Sequence, residues 1–341
     1  MIRRVVVAIA LAFVAVAPWL SAPHSFGTGA PPVVAVEGVG ITVSDLDRAI
    51  GFYTSVLFFE LLETFDVATA AHSRLVGVPD ARARTARLRL GEEIVELTEY
   101  VTPKGRAIPA DSWSHDRWFQ HIAIIVSDMD RAFSWLARYG VSAISAGPQR
   151  LPDWNVNAGG IRAFYFKDPD GHVLEILQFP PDKGERKWHR GSDRLFLGID
   201  HTAIVVADTA ASLRFYRDAL GLTVVGESEN WGVEQERLNF VPRAHLKITT
   251  LRASRGPGIE FLHYLQPGDG RSLSWEPRSN DLVHWHTILA AREPADALRA
   301  IGAAGFGLII REPVKVGAPL PFSTGAMVRD PDGHAIQLRG L

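Results

Sequence analysis

Three histidines lie in apolar runs of this chain, and each is followed at a similar interval by an acidic or amide residue: His121 by Glu175, His201 by Glu260, and His286 by Gln337. Imidazole, carboxylate and amide groups are donors that bind borderline divalent cations in proteins. Glu260 shares one alternating strand face with Leu262 and Tyr264. A carboxylate in such apolar surroundings is costly to bury unless a cation compensates it. The pattern therefore indicates metal chemistry.

The elements that must position these residues occur as four copies of one pattern. Helix-like segments follow apolar runs at residues 44–53, 127–133 and 207–216, with a degenerate copy at 292–298. The turn Asp-Pro-Asp-Gly at 168–171 recurs at 330–333. In the second copy a strand, a helix capped by Asp128 and three further strands follow one another. Such a repeat predicts four β-α-β-β-β modules.

The expected domain organisation follows from one polar segment. Residues 181–196 are rich in charged residues and helix breakers and separate the second module from the third, as a linker does. We therefore expect the first and second modules to form one domain, residues 34–180, and the third and fourth to form another, residues 197–341. Two modules together can wrap into a cup, so the predicted fold class is α+β with four βαβββ modules paired into two cup domains. His172 and His334, which follow the tight turns, are expected at the surface.

Composition excludes several classes of function. The 341 residues are 47% hydrophobic, enough for two ordinary cores. A net charge of -2 without a basic patch argues against nucleic acid as a partner. The absence of cysteine excludes disulfides, cysteine nucleophiles and thiolate-bound metal.

The first 30 residues have the parts of a secretory signal. Two arginines precede an apolar run at 5–20, and small and proline residues follow it. The run is short for a membrane span, and Pro23 would block cleavage directly after Ala22. Residues 1–30 are thus expected to be a signal peptide or an uncleaved N-terminal anchor, and the protein to be exported to the periplasm or the extracellular space, or anchored in a membrane.

The alternating strand, the helix ending in Phe-Tyr and the Asp-Pro-Asp-Gly turn before a strand with an acidic or amide residue resemble the vicinal oxygen chelate superfamily. That superfamily includes glyoxalase I, methylmalonyl-CoA epimerase, extradiol dioxygenases and antibiotic-binding resistance proteins. The resemblance covers nearly all of the chain after Val34. It is specific for the fold and weak for the reaction. It implies one divalent metal in each cup, bound by residues on the first and last strands of the two modules.

Under the expected pairing the resemblance implies two alternative metal sites. The preferred one, in the second cup, consists of His201, Glu260, His286 and Gln337. The second choice, in the first cup, consists of Glu96, His121 and Glu175, with Gly38 where a fourth donor would stand. The expected cofactor is one divalent metal: Zn, Co, Ni, Mn or Fe(II).

With a metal, the resemblance implies a glyoxalase- or epimerase-like lyase or isomerase that stabilises an enolate of a small vicinal-oxygen metabolite. Glu260 is the predicted base, and His284, on the strand face of His286, a neighbouring acid or base. One alternative is an Fe(II) extradiol-type dioxygenase that uses His201, His286 and Glu260. The other is a metal-free small-molecule-binding protein of the resistance type, because Gly38 and Gln337 are degraded ligand positions. A tandem chain completes its cups internally, so we expect a monomer.

Overall fold

The computed structural model describes residues 30–268, 270–308 and 310–341. The expected signal or anchor segment, residues 1–30, lies outside the described residues apart from Ala30. Across the described part of the chain, no helix combines the length and apolar character that crossing a membrane requires.

The described chain forms four βαβββ modules, as predicted. Module 1 contains β1 (Val33–Val43), α1 (Leu46–Ser55), β2 (Glu60–Val67), α2 (Ala70–Val76), β3 (Arg82–Leu90) and β4 (Glu93–Thr102). Module 2 contains β5 (Gln120–Val126), α3 (Met129–Arg138), the two-residue strands β6 (Ser142–Ala143) and β7 (Gln149–Arg150), β8 (Arg162–Lys167) and β9 (Val173–Gln178).

The second half of the chain repeats this order after a short 3₁₀ turn, Arg186–His189. Module 3 contains β10 (Phe196–Val205), α4 (Thr209–Leu213) continued by a π-helical segment (Arg214–Ala219), β11 (Thr223–Trp231), α5 (Val233–Asn239), β12 (His245–Arg252) and β13 (Gly258–Gln266). Module 4 contains β14 (Trp285–Ala291), α6 (Pro294–Ala303), β15 (Val314–Lys315), β16 (Thr324–Arg329) and β17 (Ala335–Gly340).

Local sequence explains where the main helices begin. Asp45, Asp128 and Asp208 each have extended backbone and accept a hydrogen bond from a backbone amide of the first helical turn. The fourth copy has no such bond, and α6 instead begins with Pro294, whose fixed φ suits the first turn. The degenerate fourth copy therefore keeps its helix by another start signal.

The strands form two sheets, each made of two modules. One sheet has the order β15-β16-β17-β14-β1-β4-β3-β2, and the other has the order β11-β12-β13-β10-β5-β9-β8-β6, with β7 on β8. Antiparallel pairing of β14 with β1 joins module 4 to module 1, and pairing of β10 with β5 joins module 3 to module 2. We call the concave sheet of modules 2 and 3 the inner cup and that of modules 1 and 4 the outer cup. The expected pairing of consecutive modules within each cup is therefore wrong.

Consecutive modules do meet, but on the helix side of the sheets. Tyr53 and Leu97 of module 1 share one buried core with Ile122 of module 2. Phe261 of module 3 shares another with Leu289 of module 4. Because side chains alternate along a strand, each strand can supply one face to a cup and the other face to such a core. Each module thus contacts two different neighbours.

The Asp-Pro-Asp-Gly turns strengthen the contacts between consecutive modules. Asp170 accepts a hydrogen bond of 2.8 Å from the backbone amide of Ser44 in module 1. Asp332 accepts one of 3.2 Å from the backbone amide of Ala207 in module 3. Each turn therefore holds the segment that leads into the helix of the preceding module.

The histidines after these turns are buried, which corrects the expectation that they lie at the surface. His172 is 1% exposed, with Nδ1 2.9 Å from the Asp168 carboxylate and Nε2 2.8 Å from the Leu282 carbonyl. His334 has Nε2 2.8 Å from the Val205 carbonyl. The tight turn folds each imidazole back onto neighbouring backbone, where it satisfies polar groups that would otherwise be unpaired.

Candidate metal centre

The registers of four strands bring two histidines and two glutamates together in the inner cup. Glu175 on β9 lies opposite Ala123, two residues after His121 on the same face of β5. The β10 and β13 strands repeat this relation for His201 and Glu260. Because β5 and β10 run antiparallel, with His201 opposite Ala123, the four side chains converge from both modules.

The donor atoms of this cluster are within a few ångströms of one another. Nε2 of His121 is 3.1 Å from Oε2 of Glu175. Nε2 of His201 is 3.7 Å from the same oxygen and 3.3 Å from Oε2 of Glu260. His121, Glu175 and His201 offer ligand atoms within 4.8 Å of one another, and the described residues contain no other such group of His, Cys, Asp or Glu.

The hydrogen bonding of His121 indicates that the cluster suits a cation. The residue is 1% exposed, and neither ring nitrogen has a hydrogen-bond partner, since the contact with Glu175 lacks hydrogen-bond geometry. Buried polar atoms are nearly always paired. Two imidazoles and two carboxylates are donors that Zn, Co, Ni, Mn and Fe(II) accept. The residues present therefore fit a divalent ion.

Asp200 fixes the orientation of one candidate ligand, His201. Its Oδ2 lies 3.0 Å from Nδ1 of His201, while Oδ1 accepts hydrogen bonds from Trp188 and Arg252 at 3.0 and 3.1 Å. The pairing of β10 with β5 is irregular between Ile199 and His201, and such a bulge changes the direction of neighbouring side chains. A carboxylate on one ring nitrogen leaves the other free for a metal. Nε2 of His201 is thus presented to the cluster.

Electrostatics favour positive charge at this point. Burial lowers the pKa of His201, but the carboxylates of Glu260, Asp200 and Glu175 outweigh burial and raise it to about 9. Burial raises the pKa of Asp200, whereas its bond to His201 and the nearby Arg252 bring it down to about 2. The acidic surroundings that hold a proton on His201 would equally stabilise a metal cation.

The cluster lines a cavity of about 310 Å³. The Glu260 side chain is 18% exposed and the Glu175 side chain 5%, so Glu260 is the more accessible carboxylate. The ring of Trp154, in the loop between β7 and β8, and that of Trp231, at the end of β11, lie 4.0 Å apart between centroids. The neighbouring side chain of Asn155 donates a 2.7 Å hydrogen bond to Asn230, which lines the cavity.

The corresponding positions of the outer cup are filled differently. Arg339, two residues after Gln337 on β17, donates two hydrogen bonds to Glu96, at 2.9 and 2.6 Å. Its Nε donates a third, of 2.6 Å, to Oε1 of Gln337. Burial raises the pKa of Glu96, but the charge of Arg339 outweighs it and the pKa is lowered. Burial, aided by Arg339, lowers the pKa of His286 to about 4. A guanidinium therefore engages the acceptor atoms that a metal would need.

Neither predicted metal set is assembled as written. The structure places His121, Glu175, His201 and Glu260 in the inner cup, and Glu96, His286 and Gln337 in the outer cup with Gly38. Each predicted set mixes residues of both cups, because module 2 pairs with module 3 and module 1 with module 4. His284 contacts His286 at 3.2 Å and belongs to the outer cup, so it is not an acid or base beside Glu260.

Sequence reasoning missed two residues that matter. Asp200 directly precedes His201, and alternation alone would turn the two side chains to opposite faces. Arg339 shares a strand face with Gln337, and this spacing was the available signal. The contact of Asp200 with His201 depends on the bulge in β10. The contact of Arg339 with Glu96 depends on the pairing of module 4 with module 1.

The fold and the site together define a class: tandem cup proteins with His and carboxylate donors on the first and last strands of paired βαβββ modules. The chain belongs to the Glyoxalase/Bleomycin resistance protein/Dioxygenase superfamily, whose profile matches residues 35–176 and again 198–338. The resemblance seen in the sequence is thereby confirmed.

Two relatives and one solved structure show the range of this likeness. A 2-epi-5-epi-valiolone epimerase of an Actinomyces species is 37% identical over 159 residues, which is 45% of this chain and 84% of the relative. A lactoylglutathione lyase of Arabidopsis thaliana is 27% identical over 192 residues, 55% of this chain and 54% of the lyase, so the match spans about half of that relative. Glyoxalase I of Zea mays superposes with a TM-score of 0.59 at 20% identity, covering 90% of this chain and 92% of that structure, which supports the fold.

Proposed function

We propose that the inner cup is the active site of a divalent-metal-dependent epimerase, which removes and returns a proton at a carbon next to vicinal oxygens of a small substrate. The observation that carries the proposal is the buried imidazole of His121, unpartnered at both nitrogens and in contact with Glu175. The 37% identity to an epimerase over 84% of that relative supports this reaction class over the others.

The metal would be held by His121, Glu175, His201 and Glu260. When bound there, a divalent ion supplies positive charge that stabilises the oxyanion formed as the neighbouring carbon loses its proton. The protein supplies the position of that charge, because Asp200 fixes the imidazole of His201.

Glu260 is the proposed base. Its carboxylate is more open to the cavity than that of Glu175, and Thr250 donates a 2.7 Å hydrogen bond to Oε1. Oε2, which lies 3.3 Å from Nε2 of His201, would accept the proton when Glu260 is not bound to the metal. Glu175, from the other module, is a second carboxylate within 3.7 Å of Nε2 of His201. Two carboxylates give an epimerase one group to take a proton and another to return it.

The other reactions considered have less support in the inner cup. A glutathione adduct carries carboxylates, whereas Arg252, the one cationic side chain among the described lining residues other than the histidines, is bound by Asp200 and Glu185. The dioxygenase hypothesis rested on His201, Glu260 and His286, and the last of these lies in the outer cup. The metal-free hypothesis rested on Gly38 and Gln337, which also belong to the outer cup.

Elemental analysis tests the metal site. Protein starting at residue 31 and purified without chelator is compared with Glu175→Ala and His121→Ala variants, and with His286→Ala as the matched outer-cup control. We expect about one equivalent of divalent metal in the wild type and the control, and less than about a tenth of that in the inner-cup variants. Metal lost from His286→Ala but kept by Glu175→Ala would contradict the assignment.

The reaction is tested with 2-epi-5-epi-valiolone in deuterated water. We expect epimerisation with uptake of solvent deuterium at one carbon, and loss of both in the Glu175→Ala variant. Formation of lactoylglutathione from methylglyoxal and glutathione, without deuterium uptake into the cyclic ketone, would instead establish a lyase.

Export and a monomeric state are also proposals. The charged start and apolar run at 1–20 support export, and N-terminal sequencing of protein recovered from cell fractions would test it. Completion of both cups within one chain supports a monomer, which sedimentation would test.

A further inference from the structure

A second buried polar group in the inner cup is left without a partner. Gln235 is the third residue of α5, the helix between β11 and β12, and it is 2% exposed. It lines the same cavity as the four proposed metal ligands. Its Oε1 has no hydrogen-bond partner. A buried acceptor in a binding cavity points to a donor that the ligand brings.

The rest of the Gln235 amide is fixed by its neighbours. Nε2 donates to Oδ1 of Asn239, one helical turn later, and Nδ2 of Asn239 donates a 2.6 Å hydrogen bond to the hydroxyl of Tyr264. Asn239 and Tyr264 are both buried. Because Nε2 of Gln235 is used in this chain of hydrogen bonds, Oε1 is the atom that remains available to a ligand.

The charges that line the cavity restrict the ligand further. Besides Glu175 and Glu260, the lining carries the carboxylates of Asp200, Glu185 and Glu227. Arg252 lies 2.7 Å from Glu185 and 3.1 Å from Asp200, so its charge is already matched. Among the described lining residues there is no unmatched Lys or Arg to receive an anionic group.

We propose that Gln235 is a specificity-determining residue that accepts a hydrogen bond from a substrate hydroxyl, and that the substrate is an uncharged polyhydroxylated ketone. The inference rests on the proposed function, because it takes the metal to hold the vicinal oxygens of the ketone while Gln235 contacts a hydroxyl elsewhere on the molecule. A site that is built to bind a hydroxyl discriminates strongly against an analogue that lacks it, because its own buried acceptor is then left unpaired.

Calorimetric binding of two ketones to Co²⁺-loaded protein tests the proposal. A pentahydroxycyclohexanone and 2-hydroxycyclohexanone both offer vicinal oxygens, but only the first has further hydroxyls. We expect wild type to prefer the first by at least about tenfold, and Gln235→Met and Gln235→Leu to lose most of that preference. Arg237→Gln, a change at an exposed position of the same helix, should keep it.

The ratio of the two affinities is measured on one protein sample, so partial unfolding of a variant does not imitate the effect. Cobalt content equal to that of the wild type shows that the cup is intact in each variant. Quinate, a polyhydroxylated carboxylate, should bind more weakly than the pentahydroxycyclohexanone.

Four results would overturn the inference. An unchanged preference in Gln235→Met removes the role of this side chain, and equal binding of both ketones to the wild type removes hydroxyl recognition. Binding of quinate more tightly than the pentahydroxycyclohexanone contradicts the proposal that the substrate is uncharged. Binding of neither ketone overturns the proposed function as well, whereas hydroxyl-dependent binding without deuterium exchange into 2-epi-5-epi-valiolone overturns the proposed epimerase alone.

Discussion

The inner and outer cups use the same strand positions for different purposes. Where the inner cup has His121, Glu175, His201 and Glu260, the outer cup has Gly38, Glu96, His286 and Gln337. In the outer cup Arg339 satisfies Glu96 and Gln337 from within the chain. In the inner cup the corresponding carboxylates face histidines. A carboxylate at this depth needs a cation, which Arg339 supplies in the outer cup and which the proposed metal would supply in the inner cup.

Other contacts of the outer cup agree with this difference. A side-chain carbon added at Gly40 would overlap the imidazole ring of His286, so His286 packs directly over Gly40. The inner cup has Ala123 opposite His201 and Ala203 opposite His121. His286 thus occupies room beside the neighbouring strand, whereas the inner histidines face the cluster.

The helices inserted after the second strand of modules 1 and 3 show the same contrast. His72 is the third residue of α2, as Gln235 is of α5, and both are buried with one unpartnered atom. Burial lowers the pKa of His72 to about 4, so it is neutral at physiological pH. The two helices therefore present different groups at corresponding positions.

The largest expected effect comes from removing the proposed base. Glu260→Gln should lower the rate of epimerisation by about 10²- to 10⁴-fold, because an amide cannot accept the proton. Steady-state kinetics with 2-epi-5-epi-valiolone measure the loss, and elemental analysis checks whether metal is retained. Glu96→Gln is the control in the outer cup. A greater loss of rate in the control, with correct folding, would reverse the roles of the two cups.

Removing the guanidinium of the outer cup should reduce stability. Arg339→Met removes both guanidinium hydrogen bonds to the buried carboxylate of Glu96 and leaves it with the ion pair to Arg87, 3.2 Å away, so it should lower the free energy of unfolding by up to about 3–5 kcal/mol. Urea denaturation monitored by circular dichroism measures the change. The double variant Glu96→Leu/Arg339→Met removes both charges and should recover most of the loss. If the single variant were as stable as the wild type, the guanidinium would not be the compensating cation.

Removing the carboxylate that orients His201 has a smaller expected effect, on metal affinity. Asp200→Asn should weaken metal affinity by about 10- to 100-fold, because the amide no longer stabilises the imidazole in the same way. Competition with a metal-binding dye measures the affinity. Glu37→Gln, one residue before Gly38 in module 1, is the matched control and should leave the affinity unchanged.

The smallest effect is a pH dependence confined to the outer cup. The folded-state pKa of Glu96 is lowered relative to 4.5, the ordinary glutamate value. The ion pair therefore contributes stability above that value, and the contribution is lost as the pH falls through the folded-state pKa. Relative to Glu96→Leu/Arg339→Met, the wild type should lose more stability on acidification, as measured by thermal unfolding at several pH values. Parallel pH profiles would contradict the assignment.

The sequence was sufficient for the four modules and for the candidate residue of each first and last strand. Alternation and the recurring turn locate His201, Glu260 and their counterparts without knowledge of the sheet order. It was not sufficient for the pairing of modules, because the connections 103–119, 179–195 and 267–284 are almost equal in length. Chain length therefore gives no preference among neighbours, and the choice depends on long-range packing.

The contact of Asp200 with His201 could not be predicted for a different reason. A bulge interrupts the alternation on which strand predictions depend, and nothing in the residues around Ile199 announces it. The contact of Arg339 with Glu96 depends on the pairing of module 4 with module 1, so the wrong pairing also hid this contact.

The interlaced module contacts have a consequence for how the protein is assembled. Modules 1 and 2 share one core and modules 3 and 4 another, yet every complete sheet takes a module from each half. If the backbone were cut between residues 180 and 195, the two fragments would each carry half of the ligand set, His121 and Glu175 on one and His201 and Glu260 on the other. The proposed activity would then require the fragments to reassociate, as the subunits of a heterodimer do.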